Sequence, residues 1–312
     1  MGEARHLSGV THTHLARRAA TRAAGPLVVV LLALGCAPRS RPTDAAWLTR
    51  DVASSGWFVT SDSVRLHYLE AGRGRPIVFV PGWTMPADIW EPQIRALSAR
   101  YRVVALDPRS QGLSAHAPGG HFHARRARDV RELLEHLELR DVTLVGWSLG
   151  VPELLAYVDQ FGTDRLASLV MVDGPVWATP VDVPQRMAAM LRMQREWRPY
   201  MAEFVPTMYA TPQPEDYLRR VTDAAARTPA DAAMALYADL FFGPERDQRP
   251  ALDRIDRPLL FVSARRRSGH ADTVAAHVRS ARIEVFEDAG HALFVDRPER
   301  FNALLEAFAP PR

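Results

Sequence analysis

Lysine is absent from the 312 residues, so all 39 basic side chains are arginine. That excludes lysine Schiff-base chemistry, a pyridoxal-phosphate anchor and a phosphate-loop lysine, each of which needs the lysine side chain. Cysteine is nearly absent. The lone thiol, Cys36, cannot close an internal disulfide, so the chain is not a disulfide scaffold. Net charge is also small, at +3, and its placement matters more than its size. Arg5, Arg17, Arg18 and Arg22 face Glu3 alone before Cys36, and the other 35 Arg are matched by 35 acidic residues. A basic groove for nucleic acid is not indicated by that balance. What is present is a globular composition: 47% apolar residues, in a chain long enough to bury a large core as one α/β unit.

The leader carries the charge excess. After its arginines comes an apolar run, Leu27-Val-Val-Val-Leu-Leu-Ala-Leu34, and then Gly35-Cys36. Eight residues fall well short of the roughly 20 that span a bilayer as a helix, and match a signal-peptide apolar segment instead. The end of the run, Ala33-Leu34-Gly35-Cys36, resembles the lipobox of bacterial lipoprotein precursors, with Ala33 where Leu, Val or Ile is usual. That resemblance implies a signal peptide over residues 1–35, lipidation of Cys36, and a protein exported and anchored to a membrane of the bacterial cell envelope by lipid alone. Each buried methylene contributes about 0.8 kcal/mol, and two acyl chains suffice for stable anchoring. Residues 36–55, rich in Arg, Pro, Thr and Ala at their start, read as a tether.

From Trp57 short apolar runs alternate with longer amphipathic ones, the pattern of a mainly parallel sheet covered by helices on both faces. Strands are expected at Trp57–Thr60, Val64–Leu69, Ile77–Val80, Arg102–Leu106, Val142–Val145, Leu166–Val172, Pro258–Ser263 and Arg282–Phe286. Helices are expected at Asp88–Ala99, Ala124–Leu137, Pro152–Phe161, Ala271–Val278 and Pro298–Phe308, the last capped by Asp296 ahead of Pro298. Residues 175–250 break the alternation. They hold no convincing strand, and Met187, Met190, Leu191, Trp197, Tyr217 and Ala233–Leu240 recur at helical spacings. This segment reads as a helical cap over a core made of 56–174 and 251–312, its Met and aromatic residues serving packing or an apolar, adaptable pocket.

The sharpest signal is Gly146-Trp147-Ser148-Leu149-Gly150, between an apolar strand and a helix. A serine on so tight a turn has a strained backbone, and its neighbours two residues away on each side must be small. In return its hydroxyl stands exposed at a helix N-terminus, whose dipole and free N–H groups favour developing negative charge. The segment resembles the G-x-S-x-G elbow of the α/β-hydrolases.

Three further segments make the chain resemble the α/β-hydrolase superfamily over nearly its whole length after the tether. Val78-Phe-Val-Pro-Gly82-Trp83-Thr84 stands where the family usually has His-Gly, with Pro81 in place of the His. Asp107-Pro-Arg-Ser-Gln-Gly-Leu-Ser114 is similar to the family's D-x-R-G-x-G-x-S turn, with Asp107 and Arg109 as structural residues. Asp288-Ala-Gly290-His291 follows the last strand, where the family places its general base. Of the eight His beyond Cys36, most are expected at the surface, His116, His121 and His123 among them. By resemblance the N–H groups of Trp83 and Leu149 would form an oxyanion hole, in which one donor is worth roughly 100- to 1000-fold in rate.

The acid has two candidates. The position after the seventh strand where the family often carries Asp holds Arg267, and a guanidinium would repel an imidazolium. A second solution in the family puts the acid after the sixth strand, where Asp173 stands. Asp173 is preferred and Asp272 is the alternative.

The resemblance thus implies a serine hydrolase acting on an ester or other activated acyl bond of a small-molecule substrate, with Ser148, His291 and Asp173 as the triad and with no metal or cofactor. Esterase, lactonase, amidase, carbon–carbon hydrolase and cofactor-free perhydrolase all remain open. Haloalkane dehalogenation is disfavoured, because that branch carries a carboxylate at the nucleophile position. Pro81 and Arg267 favour the competing reading, a lipid-anchored protein of the same fold that binds a small apolar ligand without turnover. For the leader, Cys36→Ser is expected to move the protein from the membrane fraction to the soluble one. Persistence of the variant in the membrane fraction would overturn the lipobox reading.

Overall fold

Along the central strands, successive side chains enter two different apolar clusters. Ile77, Phe79, Val145, Val170 and Val262 belong to one, and Val78, Val80, Leu144, Leu169 and Phe261 to the other. Side chains alternate across a strand, so a sheet apolar on both faces must be covered on both. The chain, seen in a computed structural model, is described over residues 51–177, 182–244, 247–264 and 269–310. The expected leader, Cys36, the tether up to residue 50 and Arg267 lie outside the described residues.

The strands are β1 (Ser54–Val59), β2 (Arg65–Ala71), β3 (Arg75–Val80), β4 (Tyr101–Asp107), β5 (Val142–Trp147), β6 (Leu166–Val172), β7 (Leu259–Ala264) and β8 (Arg282–Phe286). They form one eight-stranded sheet in the order β1-β2-β4-β3-β5-β6-β7-β8. β2 runs antiparallel to β1 and β4, and every other pair is parallel. The covering helices are α1 (Glu91–Leu97), α2 (His123–His136) and α3 (Gly150–Phe161). Between β6 and β7 come α4 (Val183–Arg195), α5 (Trp197–Phe204), α6 (Glu215–Ala226), α7 (Ala230–Phe242) and the short α8 (Arg249–Leu252). α9 (Gly269–His277), α10 (Leu293–Asp296) and α11 (Pro298–Phe308) complete the chain. This is the α/β-hydrolase architecture the sequence predicts, and residues 182–244 are helical without a strand.

The loop after β4 is held by buried charge. Asp107 accepts hydrogen bonds from the Ala87 N–H (2.6 Å), the Leu113 N–H (2.9 Å) and His67 Nδ1 (2.7 Å). Arg109, fully buried, donates to both carboxylate oxygens of Asp129 at 2.7 Å and to the carbonyl of Gly119 at 2.9 Å. Both residues are structural, as expected.

Four local expectations are corrected. β1 begins at Ser54, inside the segment assigned to the tether. The helix expected over Asp88–Ala99 is a 3-10 turn, Ala87–Trp90, followed by α1. Pro92 has no N–H to donate to the carbonyl four residues earlier, so a single α-helix cannot run through it. Asp296 does not cap α11: Arg297 stands at that N-cap without a side-chain bond. The Asp296 carboxylate is drawn instead to the Gly290 and Ala210 N–H groups. His123 is buried rather than exposed, because Asp239 of α7 accepts its main-chain N–H at 2.9 Å and brings the cap over it.

Gly112 shows how tightly the β4 loop is set. It has φ +56°, and a Cβ there would lie 2.0 Å from Asp107 Oδ1. Backbone strain of that kind costs about 1–3 kcal/mol before any clash. Gly112→Ala is therefore expected to lower unfolding free energy by about 2 kcal/mol or more in a denaturant titration. An unchanged midpoint would contradict this account of the loop.

Candidate active site

Ser148 sits between β5 and α3 with φ 55°, in the left-handed region that a residue with a Cβ avoids. Four glycines make room for it. A Cβ on Gly146 would lie 2.6 Å from the Gly150 carbonyl oxygen, and one on Gly150 would lie 2.7 Å from that of Val80. One on Gly174 would come within 2.3 Å of the Ser148 carbonyl oxygen, and one on Gly82 within 3.0 Å of Ser148 Cβ. The loops after β3 and β6 thus close directly on the turn. The Ser148 N–H donates to the Val172 carbonyl at 2.9 Å, and its own carbonyl accepts from Val151 at 3.0 Å, opening α3. The helix dipole of α3 therefore points its positive end at the hydroxyl.

Trp83 follows Gly82 and so starts its course beside the serine. Among the described residues, neither the Trp83 N–H nor the Leu149 N–H donates to a protein acceptor. The Trp83 side chain turns into the helical segment, its indole N–H donating to the Ala233 carbonyl of α7 at 2.8 Å. Its ring packs edge-on against Trp197 and Phe204 of α5, at 5.8 and 5.5 Å between centroids. That apolar wall is where sequence reasoning expects a cap pocket.

His291 lies in the loop between β8 and α10, and Asp173 directly follows β6. The Asp173 Oδ2 and His291 Nδ1 atoms are 2.7 Å apart. A carboxylate can only accept, so Nδ1 carries the proton and Nε2 is left as the ring's base. Asp173 Oδ1 accepts the Ala264 N–H at the end of β7, at 2.9 Å, and the Asp173 N–H donates to Val262 at 2.7 Å. The end of β7 thus contributes a backbone donor to the Asp173 carboxylate. Asp272, the alternative, is in the first turn of α9 and exposed.

The serine and the histidine are linked through Trp147. Its indole N–H donates to the His291 carbonyl at 2.9 Å, and the two rings are 5.2 Å apart. Asp173 and His291 meet directly, whereas among the described residues Ser148 Oγ makes no hydrogen bond to His291. Asp173 thus orients the His291 ring, and the backbone N–H groups of Leu149, next to the serine, and of Trp83, next to Gly82, have no protein acceptor among the described residues. Among the described residues no three His, Cys, Asp or Glu converge as a metal site.

What holds the histidine loop carries no signal in the sequence. Asp296 accepts from the Gly290 N–H at 2.7 Å, the Ala210 N–H at 2.8 Å and the Thr211 N–H at 3.2 Å. The Ala292 N–H donates to the Met208 carbonyl at 2.8 Å. One carboxylate thereby ties the loop of His291 to the segment between α5 and α6. An Asp just before Arg-Pro reads as a helix cap in sequence, and only the tertiary contact shows otherwise.

Residues 77–304 match the Alpha/beta hydrolase family, and the chain belongs to it. A non-heme chloroperoxidase of Kitasatospora aureofaciens is 43% identical over 114 residues, covering 36% of this chain and 42% of that protein. The chain thus matches under half the length of that relative. A pimeloyl-[acyl-carrier protein] methyl ester esterase of Nitrosomonas europaea is 24% identical over 258 residues, 78% of this chain and 98% of the relative. Among solved structures, an esterase from Exiguobacterium antarcticum superposes with a TM-score of 0.76 at 22% identity, covering 81% of this chain and 98% of its own. At that identity the likeness shows the fold.

The Asp296 bonds generate a pH prediction. Despite the desolvation that opposes it, the hydrogen bonds from Ala210, Thr211 and Gly290 hold its carboxyl below the usual carboxylate range. A depressed folded pKa means stability present above the unfolded value of about 3.9 and lost as pH falls through the folded value. Asp296→Asn is expected to lower stability at pH 7 by about 1–3 kcal/mol, as for hydrogen bonds to a charged group. In denaturant titrations at several pH values, the gap from the parent protein should close below about pH 4. A gap independent of pH would contradict the assignment.

Proposed function

We propose that the protein is a serine hydrolase that cleaves an ester or another activated acyl bond through a covalent acyl-enzyme. The observation that carries this reading is the 2.7 Å contact of Asp173 with His291, whose main chain is held by the residue next to Ser148. Ser148 Oγ attacks the substrate carbonyl carbon, and its proton passes to His291 Nε2. The carbonyl electron pair moves to oxygen, where the Trp83 and Leu149 N–H groups stabilise it. Collapse of that intermediate breaks the bond to the leaving group, which takes the proton from the imidazolium. Water then attacks the acyl-enzyme with His291 as base, releasing the acid and restoring the serine. Asp173 keeps the ring in one tautomer and stabilises its charged form. The hydroxyl-to-imidazole hydrogen bond forms as substrate seats, as is common for catalytic contacts that are loose without ligand.

A relative named as a methyl ester esterase, aligned over nearly its full length, supports ester chemistry as the reaction class. The substrate is a small acyl compound admitted beside the aromatic wall of Trp83. The leader supports placement outside the cytoplasm, held to a membrane by lipid on Cys36.

A fluorophosphonate probe is expected to label the protein at Ser148, with labelling lost in Ser148→Ala. No labelling of the parent protein would favour a binding protein of the same fold. With a p-nitrophenyl ester, Asp173→Asn should lower kcat by about 10⁴, the scale seen when a triad acid is disabled, while Asp272→Asn stays near parental. Full activity in Asp173→Asn would remove the assignment of the acid.

A further inference from the structure

The loop that carries the Trp83 N–H has few bonds of its own: the Met85 N–H to the Gly82 carbonyl at 3.2 Å and the Thr84 hydroxyl to the Trp83 carbonyl at 2.6 Å. Pro81 has neither an N–H nor a polar side chain, and Thr84 stands in the left-handed region at φ 63°. The loop's carbonyls are also gripped from the turn after β4. Gln111 Nε2 donates to the Gly82 carbonyl at 3.1 Å and to the Met85 carbonyl at 2.8 Å. Its Oε1 accepts from Arg126 Nη1 at 2.8 Å, and Arg126 Nε lies 2.8 Å from Glu153 Oε1 on α3. Gln111, Arg126 and Glu153 are all buried. An arginine can only donate and a carbonyl can only accept, so the contacts fix the amide orientation of Gln111 without ambiguity. Ser110 at φ 64° and Gly112 at φ 56° flank it and turn it inward.

The carbonyl of Gly82 and the N–H of Trp83 belong to one planar peptide unit, and in a trans peptide they point to opposite sides. Whatever holds the Gly82 carbonyl therefore decides where the Trp83 N–H points. A hydrogen bond to that carbonyl also polarises the unit and strengthens its N–H as a donor. The Met85 N–H reaches the same carbonyl at 3.2 Å, closing the turn from within, while Gln111 reaches it from outside the loop.

We infer that Gln111 is a positioning residue for the reaction: its side-chain amide, braced by Arg126 and Glu153, sets the Gly82–Trp83 peptide plane so that the Trp83 N–H faces the developing oxyanion. The inference rests on the proposed hydrolase reading and deepens it. It identifies what this chain uses to orient its oxyanion loop where Pro81 offers nothing.

Two variants test it. Gln111→Met keeps the side-chain length and removes the amide. Gln111→Glu keeps an acceptor for Arg126 and removes the donor to the two carbonyls. Kinetics on a p-nitrophenyl ester and inhibition by a trifluoromethyl ketone are measured beside thermal unfolding. Loss of a whole oxyanion donor costs about 100- to 1000-fold, so misdirecting one is expected to lower kcat about 10- to 100-fold in both variants. KM should stay within about twofold, because the donor acts on the transition state. Affinity for the ketone, whose adduct with Ser148 carries the oxyanion, should fall in parallel with kcat.

Parental kcat and ketone affinity in either variant would overturn the inference, whether or not the melting temperature falls. So would a rise in KM alone. A parent protein that hydrolyses the ester while the variants match it leaves the hydrolase reading intact and removes only the role of Gln111. A parent protein inert to ester, ketone and phosphonate alike would overturn both.

Discussion

The left-handed turn at Ser148 is the constraint around which the rest of the site is arranged. A residue with a side chain held there costs about 1–3 kcal/mol, and it persists only where its surroundings leave no alternative. Here the surroundings are backbone. Gly146, Gly150, Gly82 and Gly174 come from the strand, the helix and two neighbouring loops, and at each of them a Cβ would crowd the turn. The same close approach brings the loop after β3 alongside the serine and the start of the β6–α4 connection beneath it. Trp83 and Asp173 are the next residues along or back from those contacts. Packing that forces the strain also delivers the candidate donor and the candidate acid.

The helical segment between β6 and β7 is bound to this machinery at both ends of the site. On the serine side, the indole of Trp83 is fixed to Ala233 and enclosed by rings from α5. On the histidine side, Met208, Ala210 and Thr211 are joined to the loop of His291 through Ala292 and Asp296. A segment that selects the substrate in the proposed reading also holds the groups that act on it. Movement at either seam would alter geometry as well as access. In that reading, chemistry and selectivity are not separable modules.

Much of this was legible in the amino-acid order, for a physical reason. The alternation of short apolar runs and amphipathic stretches specifies a two-faced parallel sheet, and all eight strands appear near their expected places. Ser148 announced itself because a strained turn restricts its own neighbours to glycine. His291 followed from its place after the last strand. Asp173 was only one of two carboxylates, since nothing local separates an acid that meets a ring more than a hundred residues away from one that does not. Asp296 reads locally as a helix cap, but that signal of an acid before Arg-Pro is outcompeted by backbone N–H groups brought in by the fold. Gln111 gave no signal at all. Its partners, Gly82, Met85 and Arg126, are set by tertiary packing, and a buried glutamine in a turn has no sequence period.

The proposed reaction stands on a covalent intermediate, which can be weighed directly. The protein mixed with excess p-nitrophenyl ester and quenched in acid during turnover should gain the mass of one acyl group, located by peptide mapping on the segment containing Ser148. Turnover with no acyl mass on the chain, or with that mass on a residue other than Ser148, would contradict the account.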